Sequence, residues 1–357
     1  MIKRDKLVTW FIKNEPEKYK DMLESNHAVD IHQPNIFHCE GTCWTHVMMV
    51  MTWVEAQKEK YSDEDYIVLI TSAILHDTGK PNCQETMPAN DTKPIRNSFK
   101  GHEGVSSFFA VGVLKKLQKE FPEIYTKEII EKIIKVVSLH GTYIDETSDI
   151  YFLRDEFRKA DKNGAIRLVD EGLYSQYEKR KFLKPTTTEN NKNLFVLIGL
   201  PNSGKSSLRN TFVRSFPEAS IVSRDDLLEE FYKRKTGVIT GYNTMYKFLH
   251  EDKLLLKEFT KEFEDYLNKL AKTSDNIIVD MTQLSLSSRR KMINHFPKHN
   301  KKAIVIMTDN VELFRRNEQR FQETKKYISE KVIENMMTSF TFPVLEEGFD
   351  NIELIIN

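Results

Sequence analysis

Residues 193–207 read Asn193-Leu-Phe-Val-Leu-Ile-Gly-Leu-Pro-Asn-Ser-Gly-Lys-Ser-Ser207. A short unbroken apolar run is followed there by the pattern G-x-x-x-x-G-K-S, which predicts a buried strand, a phosphate-binding loop and the start of a helix. In such a loop, backbone N–H groups and the positive end of the helix dipole surround an anion. The stretch therefore predicts that a nucleoside triphosphate binds here, but it identifies no acceptor.

The residues predicted to bind this nucleotide lie in one continuous loop. Lys205 is expected to reach the outer phosphates, and Ser206 is expected to ligate Mg²⁺. The full predicted set is Gly199, Asn202, Ser203, Gly204, Lys205, Ser206 and Ser207. ATP and Mg²⁺ are accordingly the predicted cofactors of this half of the chain.

The bulk composition is that of an ordinary folded protein and excludes several classes. The 357 residues are more than a single core usually needs and suit two domains. No apolar run reaches the length of about 18 residues that a membrane helix requires, and no secretory leader is recognisable. We therefore expect a cytoplasmic protein without a membrane partner. The net charge of +0 does not by itself indicate a nucleic-acid partner.

The cysteines predict neither disulfides nor a zinc site. There are three of them, an odd number for a disulfide framework. Cys39 and Cys43 are spaced like half of a zinc site, but no second pair completes it. Two partly buried thiols are the favoured interpretation.

The first half of the chain is predicted to be helical. Apolar residues recur at three- and four-residue steps in five runs, at 41–60, 63–76, 101–120, 126–140 and 150–182. The segment 81–100 is rich in Pro, Asn, Asp and Thr, which predicts a long functional loop. We expect an all-α domain over 1–183, followed by a polar linker over 184–193.

The second half alternates short apolar runs with helical periodicity. The predicted strands cover 194–198, 220–223, 276–280 and 303–307, and the predicted helices cover 205–213, 243–272, 286–295 and 310–321. This alternation predicts an α/β domain over 194–357, built on a parallel sheet with helices on both faces.

Histidines are the informative residues of the helical half. Five of the ten lie at ends or inner faces of predicted helices, accompanied by two aspartates: His38, His46, His76, His102, His140, Asp77 and Asp161. Imidazole and carboxylate ligands together suit Mn²⁺, Fe²⁺, Co²⁺, Ni²⁺ or Zn²⁺, and helices can direct such ligands to a common centre.

The adjacent pair His76-Asp77, with the other ligands in order around it, resembles the HD phosphohydrolase superfamily. Members bind one or two divalent metals in a helical domain. The resemblance covers about 38–165, and it implies a first metal held by His46, His76, Asp77 and Asp161, with His102 and His140 at a second metal or at the phosphate. Such a site supports metal-assisted hydrolysis of a phosphoester. Lys80, just after the pair, is either a contact to the substrate phosphate or a solvated side chain.

Two carboxylates are predicted at strand ends beside the phosphate loop. Asp225 follows the second predicted strand and Asp280 ends another, so both are expected in the crevice where open parallel sheets bind ligands. Arg316 and Arg320 lie four residues apart, which suits either a mobile lid over phosphates or an exposed basic helix face. With Lys205 these residues form the predicted catalytic set of a kinase that phosphorylates a hydroxyl group.

These motifs, together with Arg289-Arg290 and Glu347-Gly-Phe-Asp350, resemble the polynucleotide 5′-kinase domain of end-repair enzymes. The resemblance covers roughly 193–350. It implies that Asp225 is the general base on a 5′-hydroxyl and that the two lid arginines engage the ATP phosphates.

One position departs from that family. Several members carry an Arg three residues after the general base, where this chain has Leu228. The acceptor is therefore expected to use other cations, and the candidates are Arg224, Lys233, Arg234 and Arg289. The preference between RNA and DNA is left open.

Together the two resemblances indicate an HD-domain polynucleotide kinase-phosphatase. This implies a bifunctional end-healing enzyme that phosphorylates 5′-hydroxyl ends with ATP and removes 2′,3′-cyclic, 2′- or 3′-phosphate from 3′ ends. RNA or DNA strand ends would be the substrates, and RNA is favoured. A separate RNA ligase would act afterwards, because the chain has no Lys-x-Asp-Gly motif.

Two other hypotheses stay open on the sequence. The C-terminal half could phosphorylate a small molecule such as a sugar or a nucleoside. The helical half could be a nucleotide phosphohydrolase or a regulatory binding module with a degraded site.

Overall fold

The computed structural model describes residues 2–29, 35, 37–89, 95–167, 192–324 and 327–357. The chain divides into two compact units, one comprising Met1–Lys181 with Met337–Phe342 and the other comprising Phe182–Met336 with Pro343–Asn357. Most of the predicted linker, 184–191, lies outside the described residues, as does the end of the predicted helical run at 150–182. The exact domain boundaries therefore stay a prediction.

Helices build the first unit. They are α1 (Arg4–Asn14), α2 (Pro16–Glu24), α3 (Cys43–Ala56), α4 (Asp63–Leu75), α5 (Lys80–Cys83), α6 (His102–Glu120), α7 (Lys127–Leu139) and α8 (Tyr151–Asn163). The central one is α4, which is buried without interruption from Tyr66 to Leu75. A helix that is apolar on every side is stable only when other helices enclose it, and α3, α6, α7 and α8 all contact α4.

A small antiparallel ribbon interrupts the helices. Strands β1 (Glu85–Met87) and β2 (Arg96–Ser98) pair within the segment that the sequence predicted to be a loop. Each strand has only three residues, which is too short for an alternating pattern to be recognised. The helices α1 and α2 were likewise not predicted.

The second unit is built on a sheet. Its elements are β3 (Asn193–Ile198), α9 (Lys205–Ser215), β4 (Ser220–Val222), α10 (Arg224–Thr236), α11 (Tyr242–Glu251), α12 (Lys253–Thr273), β5 (Asn276–Asp280), α13 (Leu286–Asn294), β6 (Asn300–Met307), α14 (Asn310–Thr324), most of α15 (Glu330–Ser339) and β7 (Asn351–Ile356). The strand order is β4-β5-β3-β6-β7, and all pairs are parallel. This confirms the predicted fold class, a helical domain followed by an α/β domain with a parallel sheet.

The helix predicted over 243–272 is two helices, α11 and α12. The break falls at Asp252, whose carboxylate accepts a hydrogen bond from the backbone N–H of Leu254 at 2.7 Å and so starts a new helix. Helix α10 and strand β7 were also not predicted. The strand order matters for function, because β4, β5 and β3 are neighbours and their carboxyl ends meet at one edge of the sheet.

Candidate active sites

The six predicted metal ligands lie together in the first unit and form two groups. His46, His76 and Asp161 make up one group, and Asp77, His102 and His140 make up the other. Within each group the ligand atoms lie within 4.8 Å of one another. Each group thus offers the mixed imidazole and carboxylate set that divalent transition metals bind.

Helix ends supply most of these ligands. His76 and His140 directly follow α4 and α7, and His102 is the first residue of α6. His46 and Asp161 lie within α3 and α8. All except Asp161 and His102 are buried, so the helical core encloses the cluster.

The backbone fixes the orientation of three of the imidazole rings. In each ring Nδ1 lies within hydrogen-bond distance of the carbonyl oxygen three residues earlier: His76 with Ala73 at 2.9 Å, His102 with Phe99 at 2.9 Å, and His140 with Val137 at 2.7 Å. Because a carbonyl oxygen only accepts, Nδ1 must carry the hydrogen. In the neutral rings Nε2 is left with a lone pair directed into the cluster.

Asp77 lies between the two groups. Its Oδ2 is 3.3 Å from Nε2 of His76 and 3.8 Å from Nε2 of His46, whereas its Oδ1 is 3.4 Å from Nε2 of His102. The resemblance to HD phosphohydrolases implied that Asp77 binds the first metal alone. The geometry instead lets one carboxylate serve both groups.

The cluster has polar atoms that a metal would satisfy. Nε2 of His76 and Oδ1 of Asp77 are buried and make no hydrogen bond among the described residues. Nε2 of His102 and Nε2 of His140 face each other at 3.1 Å, although both rings already donate from Nδ1. Two lone pairs at that distance repel each other unless a cation or a proton is shared between them. The residues therefore fit divalent metal binding.

The electrostatics of His46 point the same way. Burial alone would lower the pKa of this ring, but the carboxylates of Asp161 and Glu40 outweigh burial and raise the pKa to about 9. Nε2 of His46 is 2.9 Å from Oδ1 of Asp161. Without a metal these carboxylates favour a proton on His46, and a divalent cation would take the place of that proton.

Glu40 is a site residue that the sequence analysis missed. Its side chain is fully buried, and Oε1 lies 2.8 Å from Nδ1 of His46 and 2.8 Å from Nδ1 of His38. Oε2 accepts a hydrogen bond from the backbone N–H of Ile166, just after α8. A carboxylate behind a ligating histidine orients the ring and raises its basicity. No spacing rule links Glu40 to His46, so the sequence offered no signal.

Lys80 is buried rather than solvated. Its ammonium group lies 2.7 Å from Oδ2 of Asp77 and 3.0 Å from Nε2 of His27. Burial lowers the pKa of His27 to about 2, with the Lys80 charge adding to the effect, so His27 is neutral and accepts a hydrogen bond. Lys80 therefore places a positive charge beside the metal ligands.

The cysteines behave as packed thiols. All three are free cysteines, and Sγ of Cys43 is buried against the hydroxyl of Ser25. Burial raises the pKa of Cys43 to about 11, so this thiol is not a thiolate ligand at neutral pH.

In the second unit, the phosphate loop follows β3 and requires glycine at two positions. Gly204 has φ +103°, in the left-handed region. At Gly199, a Cβ would lie 2.7 Å from the carbonyl oxygen of Ile306 and 2.7 Å from Oγ of Ser203. Asn202 also has positive φ, at 64°. These conformations turn the backbone tightly enough to cradle an anion.

Lys205 is folded back onto this loop. Its ammonium group donates to the carbonyl oxygens of Gly199 at 2.9 Å and Leu200 at 2.6 Å. Burial lowers its pKa to about 8. The Lys205 charge is thus held where the outer phosphates of a nucleotide are expected.

Ser206 and Asp280 lie side by side, with Oγ of Ser206 3.5 Å from Oδ2 of Asp280. A hydroxyl and a carboxylate in this position suit Mg²⁺. Arg209, one turn after Lys205, approaches the same carboxylate at 3.2 Å and Oδ2 of Asp226 at 3.5 Å. Arg209 was not predicted, although its four-residue spacing from Lys205 was a usable signal.

The two predicted lid arginines both reach the phosphate loop from α14. Nη1 of Arg316 donates to the carbonyl oxygen of Asn202 at 3.3 Å, and Nη1 of Arg320 donates to the side-chain oxygen of Asn202 at 3.2 Å. Glu312 holds Arg316 with a 2.7 Å ion pair. The α14 arginines therefore face the loop rather than forming an exposed basic surface.

Asp225 is exposed at the start of α10, directly after β4. The hydroxyl of Tyr242 donates a hydrogen bond to this carboxylate, and burial together with Asp225 raises the pKa of Tyr242 to about 12. Tyr242 is a further residue that the sequence analysis missed, because nothing in the chain between α10 and α11 signals the contact.

Leu228, which stands where several members of the kinase family have Arg, is part of an apolar core. Leu228 is only 4% exposed and packs in an apolar cluster with residues of α11 and α12. Of the cations proposed to replace the missing Arg, Arg289 is fully buried and holds both carboxylate oxygens of Glu347 at 2.7 and 2.6 Å, so it does not reach an acceptor. Arg234 is paired with Glu262. Arg224 lies over the ring of Phe259 and near Tyr242.

Comparison with known families gives two matches along the chain. The HD domain family matches residues 43–171, and the AAA domain family matches residues 194–343. The first range contains all six clustered ligands, and the second contains the phosphate loop, Asp225, Asp280 and the α14 arginines. The two matches do not overlap, so the protein is a fusion of one region similar to HD domains and a second region, with the phosphate loop, similar to AAA domains.

Solved structures resemble the fusion over less than half of its length. A chain in the Pnkp1/Rnl/Hen1 RNA repair complex is 26% identical, with a TM-score of 0.35, and the match covers 43% of this chain and 45% of that one. A putative kinase from Chloroflexus aurantiacus J-10-fl is 12% identical over 47% of this chain and 86% of its own, with a TM-score of 0.35. A fungal RNA kinase is 16% identical over 47% and 75%, with a TM-score of 0.30.

None of the described helices of the fusion combines the length and the apolar character that a membrane crossing requires.

Proposed function

We propose that the fusion heals both ends of a broken nucleic-acid strand, most readily RNA. The observation that carries the proposal is the pairing, in one chain, of a metal-ligand cluster suited to phosphoester hydrolysis with a phosphate loop that has a carboxylate at the adjacent strand end. A strand cut to leave a 2′,3′-cyclic phosphate and a 5′-hydroxyl needs both reactions. The products would be a 3′-hydroxyl and a 5′-phosphate, which a separate ligase could join.

At the 5′ end, Asp225 would accept the proton of the attacking hydroxyl as the oxygen forms its bond to the γ-phosphorus and the bond to ADP breaks. Lys205, Arg316 and Arg320 would carry the positive charge that balances the transferring phosphoryl group. When bound, Mg²⁺ supplies further neutralisation of the phosphate oxygens, and Ser206 and Asp280 would hold it.

At the 3′ end, each of the two ligand groups would hold a metal, and Asp77 would contribute to both groups. A divalent metal supplies, when bound, Lewis acidity that lowers the pKa of a coordinated water and neutralises phosphoryl oxygens. Water attack on phosphorus would break a P–O bond to the ribose. Lys80 would keep positive charge beside the reacting phosphate, while Glu40 keeps Nε2 of His46 directed into the cluster.

A paired assay tests the proposal. The substrate is one oligoribonucleotide that carries a 5′-hydroxyl and a 2′,3′-cyclic phosphate, incubated with ATP, Mg²⁺ and Mn²⁺. Wild-type protein is expected to modify both ends. Asp77→Asn should lose only the 3′-end reaction, and Lys205→Ala should lose only the 5′-end reaction. An oligodeoxyribonucleotide of the same sequence with a 3′-phosphate is assayed in parallel, and the ratio of the two rates measures the preference between RNA and DNA.

The same assay separates the competing hypotheses. Phosphorylation of a sugar or free nucleoside, with no reaction of the oligonucleotide, would identify a small-molecule kinase instead. An HD domain that hydrolyses neither end and copurifies with no metal would be a binding module. If Asp77→Asn keeps full 3′-end hydrolysis, the assignment of the metal cluster to that reaction is wrong.

A further inference from the structure

One face of α11 carries three aromatic rings at four-residue spacing. Tyr242 and Tyr246 have ring centres 6.0 Å apart with planes tilted by 31°, and the ring of His250 stacks on Tyr246 at 3.9 Å and 20°. We call Tyr242, Tyr246 and His250 the aromatic ladder. The four-residue steps place the rings along one side of the helix.

The core of the protein accounts for only one of these rings. Met245 and Leu249 are 4% and 1% exposed in an apolar cluster with α10 and α12, and Tyr242 is partly buried against the same cluster. Tyr246 is 46% exposed, and His250 is exposed as well. Tyr246 and His250 therefore leave aromatic surface in contact with water beside the buried face of the helix.

The first ring of the ladder lies at the candidate catalytic carboxylate. Tyr242 donates a hydrogen bond to Asp225, and Arg224 is close enough to influence the Tyr242 hydroxyl electrostatically. An acceptor hydroxyl that meets Asp225 therefore brings whatever is attached to it toward Tyr242. Tyr246 and His250 continue from that point along the helix, which rises about 6 Å for every four residues.

Two lysines of α10 and α11 are already paired. Lys247, on the same helix as the ladder, forms an ion pair with Glu251, and Lys235 at the end of α10 pairs with Glu258. The exposed rings of Tyr246 and His250 thus offer stacking surface in addition to any charge attraction. Aromatic rings bind single-stranded nucleic acid by stacking on its bases, and stacking tolerates any sequence because every base has a π face.

We propose that the aromatic ladder stacks the bases of the first nucleotides at the 5′ end of the acceptor strand. This inference rests on the proposed function. It adds base stacking as the way in which the kinase domain holds a strand, since position 228 carries Leu instead of the Arg found in several family members. A sugar or a nucleoside would reach only the first ring. A strand would use the ring of Tyr246 and the stacked ring of His250 as well.

The test measures the kinetics of 5′ phosphorylation with acceptors of two lengths, a nucleoside 3′-monophosphate and a ten-nucleotide single strand. Tyr246→Ala is expected to raise KM for the ten-nucleotide strand by about 5- to 150-fold, the range that loss of one base-stacking contact produces. The same variant should leave KM for the nucleoside 3′-monophosphate at its wild-type value. Tyr246→Phe keeps the ring and is expected to restore the affinity for the strand.

A matched control and a binding assay keep the two proposals apart. Phe152→Ala removes a similarly exposed ring, 53% exposed in the first unit, and should change neither KM. Fluorescence anisotropy of a labelled ten-nucleotide strand measures binding without catalysis. If wild type phosphorylates the strand and Tyr246→Ala does so with unchanged KM, the ladder proposal is overturned. If the strand is not phosphorylated yet binds in a Tyr246-dependent way, only the proposed kinase function fails. If the strand is not phosphorylated and Tyr246→Ala binds it as tightly as wild type does, both the kinase function and the ladder proposal fail.

Discussion

The metal cluster of the first unit and the phosphate loop of the second differ in how their charged groups are satisfied without a ligand. In the cluster, Nε2 of His76 and Oδ1 of Asp77 are buried with no hydrogen bond among the described residues. In the loop, Lys205 already donates to two backbone carbonyls. A buried polar atom without a partner costs free energy, whereas an internally bonded one does not.

This difference has a consequence for stability. The cluster is a site whose folded form should gain most from binding its ligand, because only a cation relieves its unpaired atoms. In the phosphate loop Oγ of Ser203 is also buried without a hydrogen bond among the described residues, but the cations are already paired. A bound nucleotide must therefore replace contacts that Lys205, Arg316 and Arg320 make with the loop. We therefore expect substitutions at the two sites to differ in kind, with catalytic losses at the loop and combined losses of stability and activity at the cluster.

The largest expected effect is catalytic and belongs to the kinase domain. Asp225→Asn should lower kcat for 5′ phosphorylation by about 10²- to 10⁴-fold, the usual contribution of a general base. Asp225 is exposed, so the unfolding midpoint should not change. Steady-state kinetics with thermal unfolding of the same samples checks both. Asp265→Asn, a substitution on α12, is the control. If Asp225→Asn lowers kcat by less than threefold, Asp225 is not the general base.

An intermediate effect is expected for stability of the metal cluster. At a free metal concentration of about 100 times Kd, Mn²⁺ should raise the free energy of unfolding of the HD domain by about 2.7 kcal/mol. A chelator should reverse the gain, and Asp161→Asn should remove most of it. Asp155→Asn, on the same helix but paired with Lys159 at the surface, serves as the control. An equal metal response in Asp161→Asn and in wild type would contradict the assignment of this cluster.

The smallest expected effect is a loss of metal affinity when Glu40, which contacts the ligand His46, is changed. Glu40→Gln keeps the shape of the side chain but removes the charge beside Nδ1 of His46, and it should weaken metal binding by about 10- to 100-fold. Titration calorimetry or competition with a chelating dye measures the change. Glu59→Gln, an exposed position, should bind metal as wild type does. Should Glu40→Gln bind metal equally tightly, the Glu40 charge is not needed to prepare His46 for metal binding.

The sequence predicted much of both sites. The glycines, Lys205 and Ser206 lie in one continuous stretch, so their joint role could be inferred from spacing alone. The ligands His76 and Asp77 are adjacent, and the remaining ligands follow a recognisable order. The strand-end position of Asp280 also followed from local pattern, because parallel strands place their carboxyl ends at one edge.

Other features could not be inferred because they depend on contacts between distant residues. Arg289 looks like a free cation in the sequence, yet it is held by Glu347, 58 positions away. Asp77 lies within 3.8 Å of histidines from both ligand groups because the helices converge on it, which no spacing rule expresses. The break between α11 and α12 was hidden by continuous helical periodicity, and with it the position of Tyr242 beside Asp225.

The sequence by itself determined the order of the two domains and the phosphate loop, and it predicted six metal ligands that the fold brings together. Each of these depends on residues close together or on residue types with one dominant chemistry. Only the tertiary structure decided which atoms meet. It gave Glu40 its place behind His46, buried Leu228 and Arg289 away from solvent, and aligned the aromatic ladder with Asp225. Side-chain burial and distance arise from packing between remote segments, and local sequence does not encode those contacts.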